Sequence, residues 1–272
     1  MGKLCGTLAR PIVPMRNLFP FARTEPPPVS PAHAQAPELK EAELAAIYYG
    51  HRTGGDFYDF VRVSPTRVLF ALLDVAGRLD ANRGIIAAAQ STLRKAGAEL
   101  LAKEDTNEPD AMIEICLQLN HSIRHAAGRT CPCPVFSGCY NEGLGTVCYF
   151  NAGHTPGLLR DETGITELHA TGLPLGLFSH CTPDASIVAL APGSAMLVVS
   201  RGTVEAKRKG EEFGMEQIKS SFHHARTHTA REICVGIVNQ VQEFMHKSPA
   251  SNDVTVLALA RPMAAKNMVA AG

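Results

Sequence analysis

The order of segments along the chain predicts an α+β protein in which antiparallel sheets are covered by helices. Strand-like runs are followed by a pair of helices, more strands, a second helix pair and a closing strand. Composition supports that class: of 272 residues, 45% are hydrophobic and 19% charged, a globular balance with enough chain for a sizeable core. The strand-like runs are short, rich in β-branched and aromatic residues, and punctuated by Gly, Pro and Ser, whereas the helical runs repeat apolar residues at helical spacing.

Residues 1–37 read as a tail and linker. The first 23 residues carry Lys3, Arg10, Arg16 and Arg23 with no acid, and residues 25–37 are rich in Pro and Ala, stiff and with little to bury. The folded domain is expected over residues 38–261, with 262–272 as a C-terminal tail. AELAAIYYG (42–50) reads as a first strand. DFYDFVRV (56–63) and RVLFALLDVAG (67–77), separated by Ser64-Pro65-Thr66, read as a hairpin. Helices are expected over Asp80–Lys103 and Pro109–Ala127, the second with Pro at its start. PVFSGCY, GTVCYFNAG, GLLRD, the stretch around SIVALA and SAMLVVS are expected strands between Gly-rich turns. Glu212–Phe222 and Thr229–Met245 restore the helical period before DVTVLALA closes as a strand.

Several function classes fall away on charge and hydropathy. Lys plus Arg and Asp plus Glu are both 26, a net charge of +0, so no overall field draws the chain to nucleic acid or an anionic membrane. The longest apolar runs, such as Val68 to Leu73, fall far short of the roughly 20 residues needed for a membrane span. Eight scattered cysteines do not form a dense disulfide framework, and a reducing cytoplasm is the expected home. Met1-Gly2 with Cys5 begins like an acylation signal, but Gly6 stands where Ser or Thr is wanted.

The chemistry-bearing features are carboxylates at strand ends: Asp56 after Gly54-Gly55, Asp74 before Val75-Ala76-Gly77, and Asp253 entering the last strand. Such oxygen ligands suit Mg²⁺ or Mn²⁺, and neighbouring glycines let the backbone approach an ion. Each aspartate alone is an ordinary turn residue, so the conjunction carries the information. That conjunction belongs to a longer series: TGGDFYDF, LLDVAG, FNAGHTPGLLR, GLPLGL, GEEFG and NDVTVLAL follow one another in the order found in SpoIIE-like PPM-type serine/threonine phosphatases, which the chain resembles over about residues 40–261. The resemblance implies a four-layer αββα sandwich whose two central antiparallel sheets hold a pair of divalent ions, Mn²⁺ or Mg²⁺. It also implies hydrolysis of phosphoserine or phosphothreonine by metal-activated water. The partner it implies is a phosphorylated bacterial regulatory protein, in these relatives typically an anti-sigma-factor antagonist.

Carried over by position, Asp56 and Asp74 correspond to the catalytic, metal-holding acids, and the carbonyl of Val75 to a further ligand. The match then breaks: where the family has a TDG turn this chain has Ser200-Arg201-Gly202, and the terminal acidic pair reads Asn252-Asp253. Arg201 puts a permanent cation, and Asn252 a neutral amide, at metal-ligand positions. Asp56, Asp74, Arg201 and Asn252 total about −1, so two divalent ions would leave a pocket near +3. Arg201 is instead expected to occupy the room of one ion and pair with Asp74 and Asp56, converting the ion site into a salt-bridged one that can still take phosphate. Asp253 can take the role of Asn252, and Asp80 can supply another oxygen. Arg78 is a second candidate for phosphate, with a solvated helix-start arginine as the plainer reading. His154 of the NAGH motif reads as a general acid or as a structural histidine. Cys131-Pro132-Cys133 reads as a loop, and His223, His224 and His228 as solvated. Two functions stay open: a metal-dependent protein phosphatase if metal binding survives, and a pseudophosphatase that keeps the fold as a protein-binding or signalling scaffold.

Overall fold

The computed structural model describes residues 35–50, 55–75, 77, 79–225, 229–246 and 252–263. The basic N-terminal tail with its acylation-like start, Gly54, Arg78 and His228 lie outside the described residues. So do the side chain of Asp80 and residues 264–272. In order, the elements are β1 (Glu43–Tyr49), β2 (Asp56–Arg62), β3 (Arg67–Asp74), α1 (Leu79–Leu100), α2 (Glu108–Ala127), β4 (Val135–Asn141), β5 (Thr146–Ala152), β6 (Gly157–Arg160) and β7 (Ile165–Leu168). Then come β8 (Ser186–Ala189), β9 (Ala195–Val199), α3 (Arg201–Val204), β10 (Lys207–Arg208), β11 (Glu211–Glu212), α4 (Gly214–His224), α5 (Ala230–Phe244) and β12 (Val254–Ala260).

Two five-stranded sheets form the centre, one ordered β1-β12-β9-β6-β7 and the other β2-β3-β4-β5-β8, with every pairing between these strands antiparallel. The strand period of two explains why both sheets are buried on both faces. In β3, Leu69, Ala71 and Leu73 pack towards α1 and α2, while Val68, Phe70 and Leu72 pack between the sheets. In β12, Val254, Val256 and Ala258 face α4 and α5, while Leu257 and Leu259 meet the other sheet. Three apolar layers result, one between the sheets and one under each helix pair, the αββα arrangement expected from the resemblance. A fully buried Leu or Phe in such a layer contributes about 1.5–3 kcal/mol.

Local chemistry sets the helix ends. Asn107 caps α2, its side chain accepting from the Asp110 amide, and Gly128 closes the helix in the left-handed region at φ 60°. Thr229 and Glu232 form a reciprocal capping box at the start of α5. Arg67 crosses from β3 to bond Glu108 at 2.6 Å and the carbonyls of Lys103 and Glu104, tying the α1–α2 connection to the sheet.

The structure departs from expectation in four places. Glu212 does not start a helix: Glu211 and Glu212 pair with Arg208 and Lys207 in a small hairpin, and the helix begins at Gly214. The first helix ends at Leu100 rather than near Lys103. The short polar edge strand β7 and the single-turn α3 lack enough periodic residues to be visible in the sequence.

Candidate functional site

Strand alternation delivers the expected acids to one end of the space between the sheets. Even-numbered residues of β2 and β3 point inward, as Phe60, Phe70 and Leu72 show, and Asp56 and Asp74 are direct cross-strand partners at the open end of that hairpin. From the opposite sheet, odd-numbered residues of β12 point inward, bringing Thr255 to donate to Asp56 Oδ2 at 2.7 Å. Asp253, only 4% exposed, precedes β12 on the same side and accepts from the Tyr48 hydroxyl at 2.5 Å. Asn252 is exposed beside it.

The turn after β3 is built on close backbone approach. The Val75 amide donates to the Gly55 carbonyl at 3.2 Å, and a Cβ on Gly55 would lie 1.9 Å from the Val75 carbonyl oxygen, so only glycine fits before Asp56. That carbonyl accepts from the side chain of Asn82 at 3.4 Å, a residue of α1 only 1% exposed.

Ser200, the N-cap residue of α3, links the two sides. Its hydroxyl accepts from the Thr255 amide at 3.0 Å, donates to the Asp253 carbonyl at 3.3 Å, and lies near enough to the Asp56 carboxylate to lower its proton affinity. Arg201 follows. Its Nε lies 3.7 Å from Asp74 Oδ2 and 3.9 Å from Glu205 Oε1, and its side chain is 57% exposed. The expected pairing with Asp74 is present; the expected pairing with Asp56 is not, because the hydroxyls of Ser200 and Thr255 reach Asp56 while the guanidinium stays towards solvent.

Electrostatics single out the two acids. Burial pushes the Asp56 carboxyl well above the ordinary carboxylate range, the Asp74 charge raises it further, and the bonds from Ser200 and Thr255 offset only part of the rise. Burial also raises Asp74, opposed by the charge of Arg201 and a bond from the Arg201 amide and reinforced by Glu205 and Asp253. His154 is buried, with Nδ1 3.0 Å from Thr155 Oγ1 and Nε2 without a partner among the described residues; burial lowers its imidazole to about 4.

The structure thus brings Asp56, Asp74, Val75, Asp253 and Arg201 to one end of the inter-sheet space, with Asn252 at its rim. Sequence reasoning did not find Tyr48, Asn82, Ser200, Glu205 or Thr255. For Thr255 a signal existed: it is the inward-facing polar residue in an otherwise apolar strand.

This architecture recurs in known proteins. The family model "Stage II sporulation protein E (SpoIIE)" matches residues 64–262. The chain belongs to the SpoIIE family, within the PPM-type phosphatases. Protein IcfG of Synechocystis sp. is 21% identical over 245 residues, 83% of this chain, and the chain spans about two fifths (39%) of that relative's length. Among solved structures, the RsbU and RsbW domains of Rv1364c from Mycobacterium tuberculosis superpose with a TM-score of 0.67 at 19% identity, covering 85% of this chain and 64% of that one. The SiaA-PP2C domain of Pseudomonas aeruginosa gives 0.65 at 17% identity, covering 80% and 84%. RsbX in complex with magnesium gives 0.56 at 13% identity, covering 83% and 98%. At these identities the structural likeness speaks for the fold. Among the described residues no helix is long and apolar enough to cross a membrane.

Proposed function

We propose that this SpoIIE-family domain is a pseudophosphatase: it recognises a phosphorylated regulatory protein through the phosphatase fold, with metal-assisted hydrolysis impaired. The observation that carries this reading is Arg201. A permanent cation 3.7 Å from Asp74 stands where the family resemblance calls for an anionic ligand, and its charge opposes any divalent ion held by that carboxylate. The remaining donors are engaged within the chain, Asp56 by Thr255 and Ser200, Asp253 by Tyr48, and the Val75 carbonyl by Asn82. Among the described residues no three His, Cys, Asp or Glu side chains are placed to hold a metal ion. This donor set does not fit two Mn²⁺ or Mg²⁺ ions.

The partner chemistry follows from the family: the RsbU and RsbW domains joined in Rv1364c point to a regulatory protein as the target, of which a phosphorylated anti-sigma-factor antagonist is the specific case. Arg201, half in solvent at the mouth of an acidic recess, is the cation offered to its phosphate, with Arg78 as a second candidate.

One observation favours the alternative, an active phosphatase. Asp56 and Asp74 face each other as a like-charged pair, Asp74 buried and Asp56 partly so, with raised proton affinity that a divalent ion would relieve. A single experiment separates the two. The pseudophosphatase gives flat calorimetric titration with Mn²⁺ and no turnover of a phosphoserine peptide, while Arg201→Asp combined with Asn252→Asp gains both. Wild-type turnover that requires Mn²⁺, with an inert double variant, establishes the alternative.

A further inference from the structure

We propose that Cys116 and Cys181 form a reversible disulfide that staples the connection between β7 and β8 onto α2. Both thiols line one cavity of about 380 Å³ between that helix and that connection. The juxtaposition is built in. Cys116 and Asn120 are four residues apart and so share a face of α2. Asn120 accepts from the Gly176 amide at 2.8 Å and donates to the Phe178 carbonyl at 3.1 Å, pinning the connection one helical turn from Cys116. Three residues beyond Phe178 the chain reaches Cys181, on the wall of the same cavity as Cys116 and close enough for the two sulfurs to influence each other electrostatically.

Access distinguishes this pair from the other cysteines. Cys139 and Cys148 also face each other, across β4 and β5, but both are fully buried in the sheet. Cys116, Cys131, Cys133 and Cys234 are buried as well, and Cys181 is the half-exposed thiol among the described residues. An oxidant arriving from water therefore meets Cys181 first, with Cys116 behind it as the resolving thiol.

With hydrogen peroxide as oxidant, the steps balance. The Cys181 thiolate attacks one peroxide oxygen, the O–O bond breaks, and Cys181 sulfenic acid forms with hydroxide, which takes up the proton lost when the thiol ionised and becomes one water. Cys116 sulfur then attacks the sulfenic sulfur, its S–H proton leaves with the hydroxide, and a disulfide and a second water form. Peroxide is reduced by two electrons and the two thiols are oxidised. Burial raises both thiols, so the thiolate is scarce at neutral pH and the pair responds to sustained rather than trace peroxide.

The test uses the full chain, treated with hydrogen peroxide, blocked with iodoacetamide and mapped by mass spectrometry. The expected result is a loss of about 2 Da and one cross-linked peptide joining residues 116 and 181, both reversed by dithiothreitol. Cys181→Ser abolishes the cross-link, and Cys116→Ser leaves a Cys181 sulfenic acid that dimedone traps. Recovery of Cys116 and Cys181 as separate peptides after oxidation, linkage of either to another cysteine, or a Cys181 bridge between two chains overturns the proposal. Should Cys116→Ser fail to fold, the wild-type map and the half-exposed Cys181→Ser variant decide it. The proposal is independent of whether the domain hydrolyses phosphate.

Discussion

Arg201 stands beside Asp74, its Nε 3.7 Å from Oδ2. The ionic contact depends on the guanidinium. The contact is also loose, since the side chain is 57% exposed and reaches Glu205 on its other side at 3.9 Å. Arg201 is therefore an exposed charge beside the acids rather than a buried strut, and its removal separates charge from fold.

Arg201→Gln keeps a polar, unbranched stem as far as Cδ and removes the charge. Water screens a half-exposed cation, so the gain in divalent-ion affinity is set at about 1.4 kcal/mol, roughly tenfold, well below what a dry interior would give. Calorimetric titration with Mn²⁺ reads the change, and the urea midpoint should stay within about 0.5 kcal/mol of wild type. An unchanged Mn²⁺ isotherm with an intact fold removes the electrostatic account of this position.

Asp56→Asn should stabilise the protein at neutral pH. The folded state raises the Asp56 proton affinity through burial and the facing Asp74. A raised folded pKa contributes stability that is present below the unfolded carboxylate range and lost as pH rises through the folded value. The amide escapes that loss, and its oxygen still accepts from Thr255. Urea unfolding should place the variant above wild type at pH 7, the difference shrinking as pH falls from the folded value towards the ordinary carboxylate range and vanishing below it. A less stable variant at pH 7 means that ionised Asp56 is held favourably by groups beyond Ser200 and Thr255.

The hairpin that carries Asp56 and Asp74 was legible because both strands are dense in β-branched and aromatic residues and are closed by Ser64-Pro65-Thr66. The motif order led from there to the sandwich, and the acids fell together as expected. The partners of those acids were not legible, because they come from across the fold: Tyr48 lies 205 residues from Asp253, and Thr255 lies 199 from Asp56. Pairing of β1 with β12, the first and last described strands, makes the first contact, and packing of the two sheets brings Thr255 of β12 to Asp56 of β2; no local pattern announces either. Arg201 itself was visible as a departure, but its choice of Asp74 over Asp56 depends on hydroxyls supplied by Ser200 and Thr255.

His154 should dominate one part of the acid response. Its imidazole is buried and lowered to about 4, so the folded state holds it neutral. A depressed folded pKa means stability that is intact above the unfolded value near 6.5 and is lost as pH falls through the window down to the folded value. The loss across that window is on the order of 3 kcal/mol. His154→Gln, which cannot ionise, should flatten the stability profile there in guanidinium titrations at stepped pH. Equal slopes in the two proteins would mean that His154 titrates normally and that its burial is relieved by water.

The α3 turn rests on Gly202. A Cβ there would lie 2.1 Å from the Asp253 carbonyl oxygen and 2.9 Å from Asn252 Cβ, both on the turn that leads into β12. Gly202→Ala must push α3 off that turn and should cost about 2–3 kcal/mol as an overpacking defect. It should also draw Ser200 away from Asp56 and Arg201 away from Asp74. Gly236→Ala in α5 is the matched control: nothing lies within 4 Å of its added Cβ. In a helix interior that methyl should stabilise by about 0.5–1 kcal/mol through lower backbone entropy. Opposite signs in the two thermal melts locate the strain at the backbone contact between α3 and the Asp253 turn; two stabilised variants would show that α3 yields without cost.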